Sequence, residues 1–282
     1  MGTQKLTGII VSDTHIGSAF GIFPEGYIGS TGSEITLNVG QKYLLECWDW
    51  MLEKVPRKVD FLMINGDVVD GTGRKDEGRW RVEPDPDFQV SAAKMLFLRG
   101  NPPLLNRAKR IYVSRGSAYH VETGARLDEI FAREIGATPD RMGHYASSWR
   151  ILSCDGIDID FAHHRSAHIR YESTPGEREM QFDRMIADLK GGSSDLIIRS
   201  HGHRYVKLNV DGDLFLATPA WSLQTDFAKM SKYPNRLLSR LIGGVRVDLY
   251  PELKTGGIQD KEEYVRITGL LRPHPKIGKE IL

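Results

Sequence analysis

The sequence predicts a layered α/β fold. In its first half, short apolar runs that each stop at an acidic or histidine-bearing loop alternate with amphipathic helical stretches; in its second half, Asp-Gly pairs flanked by alternating residues signal hairpins. Composition agrees with a packed globular chain, because 40% of the 282 residues are hydrophobic and 27% charged, which excludes a disordered chain or a coiled rod. At roughly 150 residues per domain, the length admits one large domain with insertions.

Leu6 to Val11 is a buried strand closing on Ser12-Asp13. From Gln41 to Val55, Leu44, Leu45, Trp48, Met51 and Leu52 fall at three-four spacing and define a helix. Between them, residues 16–40 form a long Gly-rich connection carrying Phe20, Phe23 and Tyr27, of the kind that has a job or is disordered. Val59 to Asn65 is a second strand, ending in Gly66-Asp67-Val68-Val69-Asp70, and a second insertion, 71–87, precedes a helix around Phe88 to Leu98. Arg110 to Ser114 is a third strand and Ala125 to Ile135 a third helix. Ser147 to Ser153 and Ile157 to Ala162 then flank Asp155-Gly156 as a hairpin. Glu177 to Lys190 is a helix whose apolar face is Met180, Met185, Ile186 and Leu189, and Leu196 to Arg199 is a strand running into Ser200-His201-Gly202-His203. A second hairpin joins Tyr205 to Val210 with Leu214 to Ala217, and Gly244 to Leu249 is the last strand. The domain expected from this pattern is 1–250, followed by a polar extension over 251–282.

Lys plus Arg number 38 against 37 Asp plus Glu, a net charge of +1, which removes the whole-protein field of a nucleic-acid coat or membrane-surface binder. Two cysteines, Cys47 and Cys154, are too few for a disulfide scaffold, so a reducing cytoplasm is expected. No stretch approaches the roughly 18 apolar residues of a membrane span.

The chemistry-bearing residues collect at strand ends: Asp13 and His15, Asp67 and Asp70, Ser117 and His120, His163 and His164, His201 and His203. In open α/β sheets ligands gather beyond the carboxyl ends of strands, so these loops can converge on one edge. A mixed carboxylate and imidazole set suits manganese, iron or zinc. Singly, an Asp-x-His after a strand reads as a helix-capping aspartate beside a surface histidine, and a Gly-Asp loop as a turn. Their joint order points to metal chemistry.

In that order the chain resembles the calcineurin-like metallophosphoesterase family. Asp13-Thr14-His15, Gly66-Asp67-Val68-Val69-Asp70, His163 or His164, and His201-Gly202-His203 match its blocks, with Ser200 where the family has Gly. The resemblance spans about residues 5 to 250 and implies a four-layer α/β/β/α sandwich with two mixed sheets and two divalent ions. Manganese leads, with iron or zinc as alternatives. By the same resemblance, Asp13, His15 and His203 would hold one ion, Asp67 would bridge, and His163 with His201 would hold the second, supported by Asp70. The third block departs: Ser117 stands where the family's metal-binding Asn would be, its shorter neutral oxygen a candidate ligand of the second ion, directly or through water, and His120 comes later as the group that protonates the leaving oxygen. Strand alternation through Ile157, Ile159 and Phe161 prefers His163 over His164, with His168 more distant.

The implied reaction is hydrolysis of a phosphomonoester or phosphodiester by a metal-bridging hydroxide. Arg165 and Arg204, beside the proposed ligands, are candidate phosphate contacts. Two alternatives remain open: a nuclease or nucleotide phosphodiesterase using the Arg-bearing and aromatic loops, and a metal-holding interaction protein with weakened catalysis. The expected partners are a phosphate-ester substrate, with nucleic acid, nucleotide and self-association left open, and no membrane.

Overall fold

The computed structural model describes residues 5–72, 80–118, 120, 126–164, 174–223 and 241–275. In chain order the elements are β1 (Leu6–Val11), α1 (Val39–Lys54), β2 (Val59–Asn65), α2 (Pro86–Phe97), α3 (Leu104–Arg107), β3 (Ala108–Ser114), α4 (Arg126–Glu134), β4 (Ala146–Ser147), β5 (Arg150–Cys154), β6 (Ile157–Phe161), α5 (Thr174–Met185), α6 (Ala187–Lys190), β7 (Leu196–Arg199), β8 (Val206–Val210), β9 (Asp213–Ala217), β10 (Leu241–Leu249), α7 (Pro251–Thr255), α8 (Lys261–Tyr264) and β11 (Val265–Pro273).

Two mixed sheets result. The first has the order β11-β10-β1-β2-β3-β4, parallel from β1 to β4, with β10 antiparallel to β1 and β11 antiparallel to β10. The second has the order β5-β6-β7-β9-β8, with β6, β7 and β9 parallel and a hairpin at each edge. Both hairpin turns take the left-handed backbone expected of Asp-Gly: Asp155 and Gly156 have φ of 49° and 90°, and Asp211 and Gly212 have 52° and 84°.

Side-chain alternation along each strand separates three cores and so defines four layers. Ile9, Val11, Leu62, Ile64 and Val113 face outward onto α1, α2 and α4, where Trp48 meets Phe97 and Trp221 edge to face. Ile10, Phe61, Met63 and Tyr112 face inward onto Ile159, Phe161, Ile198 and Leu216 of the second sheet. Ile197, Phe215 and Ala217 turn to the far side against Met180 of α5. This is the expected four-layer α/β/β/α sandwich.

Three expectations change. The helix expected over Glu177 to Lys190 is broken at Ile186, and of its assigned apolar face only Met180 is buried; Met185 and Leu189 are exposed. The buried face carries charges instead. Glu179 Oε2 accepts from Arg199 Nε at 2.8 Å, and Asp183 accepts from Lys190 and from the Ser194 hydroxyl. These pairings let a polar face lie on a sheet.

Residues 251–275 are no appended tail. α7 and α8 lead into β11, which pairs with β10 over all nine residues and becomes the edge of the first sheet. The 16–40 segment is likewise built into the core, with Ile16, Ile22 and Phe23 fully buried. Gln41 fastens it through Ser18 O (3.1 Å), while Asn38 and Gln41 form a capping box for α1.

Candidate metal centre

The carboxyl ends of β1, β2, β3, β6 and β7 meet at one edge of the sandwich, and each candidate residue lies in a loop leaving one of them. Backbone bonds lace these loops together beyond the strands: Asp13 N to Gly66 O, His15 N to Asp67 O, and Ser200 N to His163 O, all near 3 Å. The non-glycine residues Asp13, His15, Asp67, His201 and His203 hold φ between 45° and 63°. Side chains pay for left-handed backbone, and such conformations persist where the surroundings over-determine them, commonly at functional sites. Two glycines are required by proximity. A Cβ on Gly66 would lie 2.5 Å from the His163 ring, and one on Gly116 would lie 2.2 Å from Asp67 Oδ1.

The side chains converge. One ligand atom each from Asp13, His15 and His203 lies within 4.8 Å of the others, and the same holds for Asp67, His163 and His201, and for His15, Asp67 and His120. Asp67 therefore belongs to two groups, as does His15. His163 Nε2 is 3.0 Å from Asp67 Oδ2 and 4.0 Å from Asp13 Oδ1; His203 Nε2 is 3.3 Å from Asp13 Oδ1; His15 Nε2 and His203 Nε2 are 3.1 Å apart.

Both oxygens of Asp13 and the Nε2 of His163 are buried without a hydrogen-bond partner. Buried polar atoms of this kind, close to opposite charge yet without a hydrogen bond, are costly unless something else binds them. Acceptors and imidazole nitrogens aimed at a common point, rather than aligned as hydrogen bonds, fit a divalent cation, and the oxygen and nitrogen donors match the borderline metals.

The surrounding groups fix these donors. His163 Nδ1 donates to Asn65 O at 2.7 Å, which leaves Nε2 as the nitrogen that would bind a metal once its proton is lost. Asp70 Oδ1 takes His15 Nδ1 at 3.3 Å and His120 Nδ1 at 3.0 Å, while its Oδ2 accepts from Arg81 at 2.8 Å. The Ser117 amide donates to Asp67 Oδ1 at 2.6 Å, and its hydroxyl sits 3.1 and 3.2 Å from the two oxygens of the same carboxylate.

Electrostatics follow from this packing. Burial works to raise the Asp13 pKa, but the charges of His203 and His163 overcome it and hold the carboxyl at about 2. Asp67 and Asp70 are lowered in the same way, against burial, by their histidine partners. Burial disfavours a charged His163, yet Asp67 and Asp13 drive its pKa up to about 10. His120 is raised against burial by its bond to Asp70, whereas burial and the His120 charge lower His15.

Of the residues singled out in the sequence, Asp13, His15, Asp67, Asp70, Ser117, His120, His163, His201 and His203 are brought into one pocket. His164 is exposed beside it, its ring 5.1 Å from that of His201. Arg204 follows His203 and is half-buried; Arg165 and His168 lie outside the described residues.

Sequence reasoning missed three contributors. Asn65 orients His163, and Arg81, expected on an exposed insertion, turns inward to Asp70. Asp128 of α4 accepts from Gly116 N behind the third loop, and burial, aided by the Asp67 charge, pushes its pKa up to about 7. Asn65 closes a strand that ends in Gly-Asp, which was a readable signal; the other two carry none.

Neither a family model nor a curated protein matches the chain. Among solved structures, Vps29 of Entamoeba histolytica complexed with zinc is 12% identical with a TM-score of 0.44, covering 94% of this chain and 99% of that one. An archaeal phosphodiesterase is 11% identical with a TM-score of 0.41, over 94% and 99%. A predicted phosphoesterase from Streptococcus pneumoniae TIGR4 is 12% identical with a TM-score of 0.35, over 95% and 99%. These are likenesses of fold, to proteins of low sequence identity.

Proposed function

We propose that the protein hydrolyses a phosphomonoester or phosphodiester at a pair of divalent ions, manganese being the best fit to its mixed donors. The observation that carries this reading is Asp67, a fully buried carboxylate within 4.8 Å of a ring nitrogen of His15 on one side and of His163 and His201 on the other. Asp13, His15 and His203 would hold one ion, and His163 with His201 the other. Bound divalent ions supply Lewis-acid charge and make a water nucleophile available near neutral pH.

This chain's own residues do the rest. Asp70 fixes His120 through Nδ1 and favours its protonated form, which suits it to give a proton to the leaving ester oxygen. Arg204, adjoining His203, would meet a phosphate oxygen. Ser117 steadies Asp67 by hydrogen bonding. The free cysteines Cys47 and Cys154 fit a reducing, cytoplasmic setting.

One specific observation favours a second reading, a metal-holding interaction protein: the third loop offers the Ser117 hydroxyl, already engaged with Asp67, where the resembling family has an amide ligand. One experiment separates the two. Manganese-loaded protein should cleave an aryl phosphate or bis-aryl phosphate, and Asp67→Asn should lower turnover by on the order of 10²-fold or more together with metal content. Cleavage undiminished in Asp67→Asn refutes catalysis at this site, and two bound ions with no turnover on any ester favour the second reading.

A further inference from the structure

One residue below the metal-ligand loops, a chain of small polar side chains crosses the sandwich. Ser12 follows β1, Asn65 ends β2, Ser114 ends β3, Ser200 follows β7 and Thr218 follows β9. All are essentially fully buried. Ser114 Oγ meets Asn65 Oδ1 at 2.5 Å, Asn65 Nδ2 meets Ser200 Oγ at 2.6 Å, and Ser200 Oγ meets Thr218 Oγ1 at 2.7 Å. Thr218 Oγ1 then meets Ser12 Oγ at 2.7 Å, and Ser12 Oγ ends the chain on Pro219 O at 3.0 Å. The belt ties three strands of the first sheet to two of the second.

The proton direction is determined by elimination. Asn65 Nδ2 also reaches Ala162 O at 3.0 Å, a pure acceptor, so this atom is the amide nitrogen and Oδ1 must accept from Ser114. At the other end Ser12 spends its only hydrogen on Pro219 O, so it accepts from Thr218. Thr218 in turn accepts from Ser200, and Ser200 from Asn65. A competing acceptor, Arg199 O, lies 3.4 Å from Thr218 Oγ1, too long to take that hydrogen. Every hydroxyl therefore donates once and the bonds run in one sense, an arrangement in which each bond polarises the next.

The belt is joined to both halves of the pocket. Asn65 presents the backbone oxygen that orients His163, and Ser200 precedes His201. Ser12 precedes Asp13, whose carbonyl receives Trp221 N just beyond Thr218. Within the belt, the bond between Ser200 and Thr218 joins the Asn65 side to the Ser12 side. It also gives Ser200 a task at a position where glycine, with no hydroxyl, would leave Asn65 and Thr218 short of a partner.

We propose that this belt sets the spacing between the two metal-ligand groups, with Ser200 and Thr218 as its positioning residues. The inference rests on the two-ion reading above. Ser200→Ala and the near-isosteric Thr218→Val each break the central link without touching a ligand. Wild-type protein titrated with manganese should bind two ions and give the exchange-coupled electron paramagnetic resonance spectrum of a close pair.

In either variant one ion should bind within about threefold of wild type and the other about 10- to 100-fold more weakly, the usual cost of losing an outer partner of a metal ligand. The coupled spectrum should be replaced by that of isolated manganese at equal loading. Thr218→Ser, which keeps the hydroxyl, should restore wild-type behaviour and covers the case in which a truncation does not fold. The proposal is overturned if both variants bind the pair as wild type does while only the metal-free melting temperature falls, or if both ions weaken equally. Wild-type protein that binds no pair of ions ends the two-ion reading itself.

Discussion

Asp128 shows how a single side chain carries a cost that its neighbours tolerate. It lies fully buried behind the third loop, receives the Gly116 amide, and has a pKa pushed up to about 7 by burial and the nearby Asp67 charge. An unfolded aspartate titrates near 3.9, so between about pH 4 and 7 the unfolded chain is ionised while the folded one still holds its proton. Folding then takes up a proton, and stability falls as pH rises through this window, the reverse of the usual salt-bridged aspartate. Asp128→Asn keeps an acceptor for Gly116 and removes the charge. Metal-free Asp128→Asn should melt higher than wild type at pH 8, with the gain shrinking toward pH 4. An equal shift at both values would show that ionisation is not the cause.

At the scale of elements, α5 is held to the second sheet by charge as well as by the apolar contact of Met180. Arg199, at the end of β7, meets Asp160 of β6 at 2.5 Å and Glu179 of α5 at 2.8 Å, all buried. Removing one partner strands the others without water, so Arg199→Met should cost about 3–5 kcal/mol in urea unfolding; a loss under about 1 kcal/mol would mean that the network is solvated. This wiring explains why the helix face was misread. Met180, Met185, Ile186 and Leu189 satisfy helical spacing, but the surface that is buried carries Glu179 and Asp183, whose partners are remote in sequence.

β11 escaped for a related reason. Its pattern, with Gly269 in the middle and Arg266 and Arg272 near the ends, shows only two buried positions, because an edge strand needs one covered face and a neighbour's backbone. The central strands were legible because both of their faces are buried, which leaves uninterrupted apolar runs. The loops that follow them announced the ligands by composition. Asn65, Ser200 and Thr218 did not announce themselves, since serine, threonine and asparagine at strand ends are commonplace until the fold sets them side by side.

For the whole molecule, metal, protons and folding are linked. Without metal, Asp67 and Asp13 keep His163 protonated up to about pH 10, against about 6.5 in the unfolded chain. That pairing stabilises the metal-free fold fully below about pH 6.5 and is lost as pH climbs toward 10. Coordination requires a neutral imidazole. Manganese binding at pH 7 should therefore release at least one proton, and the affinity of the ion held by His163 should rise about tenfold per pH unit. Calorimetry in buffers of different ionisation enthalpy counts that proton; none released would remove His163 from the ligand set. The loaded protein should be more stable by about 2.7 kcal/mol at a hundredfold excess over Kd.

The strand order of the first sheet has a further consequence, in time rather than in space. β1 is made first, yet its open flank is covered by β10, residues Leu241–Leu249, and the group containing Asp13 lacks a member until His203 has been synthesised. A chain growing on the ribosome thus carries β1 uncovered on that flank until β10 has emerged. Both groups proposed to hold ions gain their last member within three residues, His201 and then His203, long after the strand that carries Asp13 has been made.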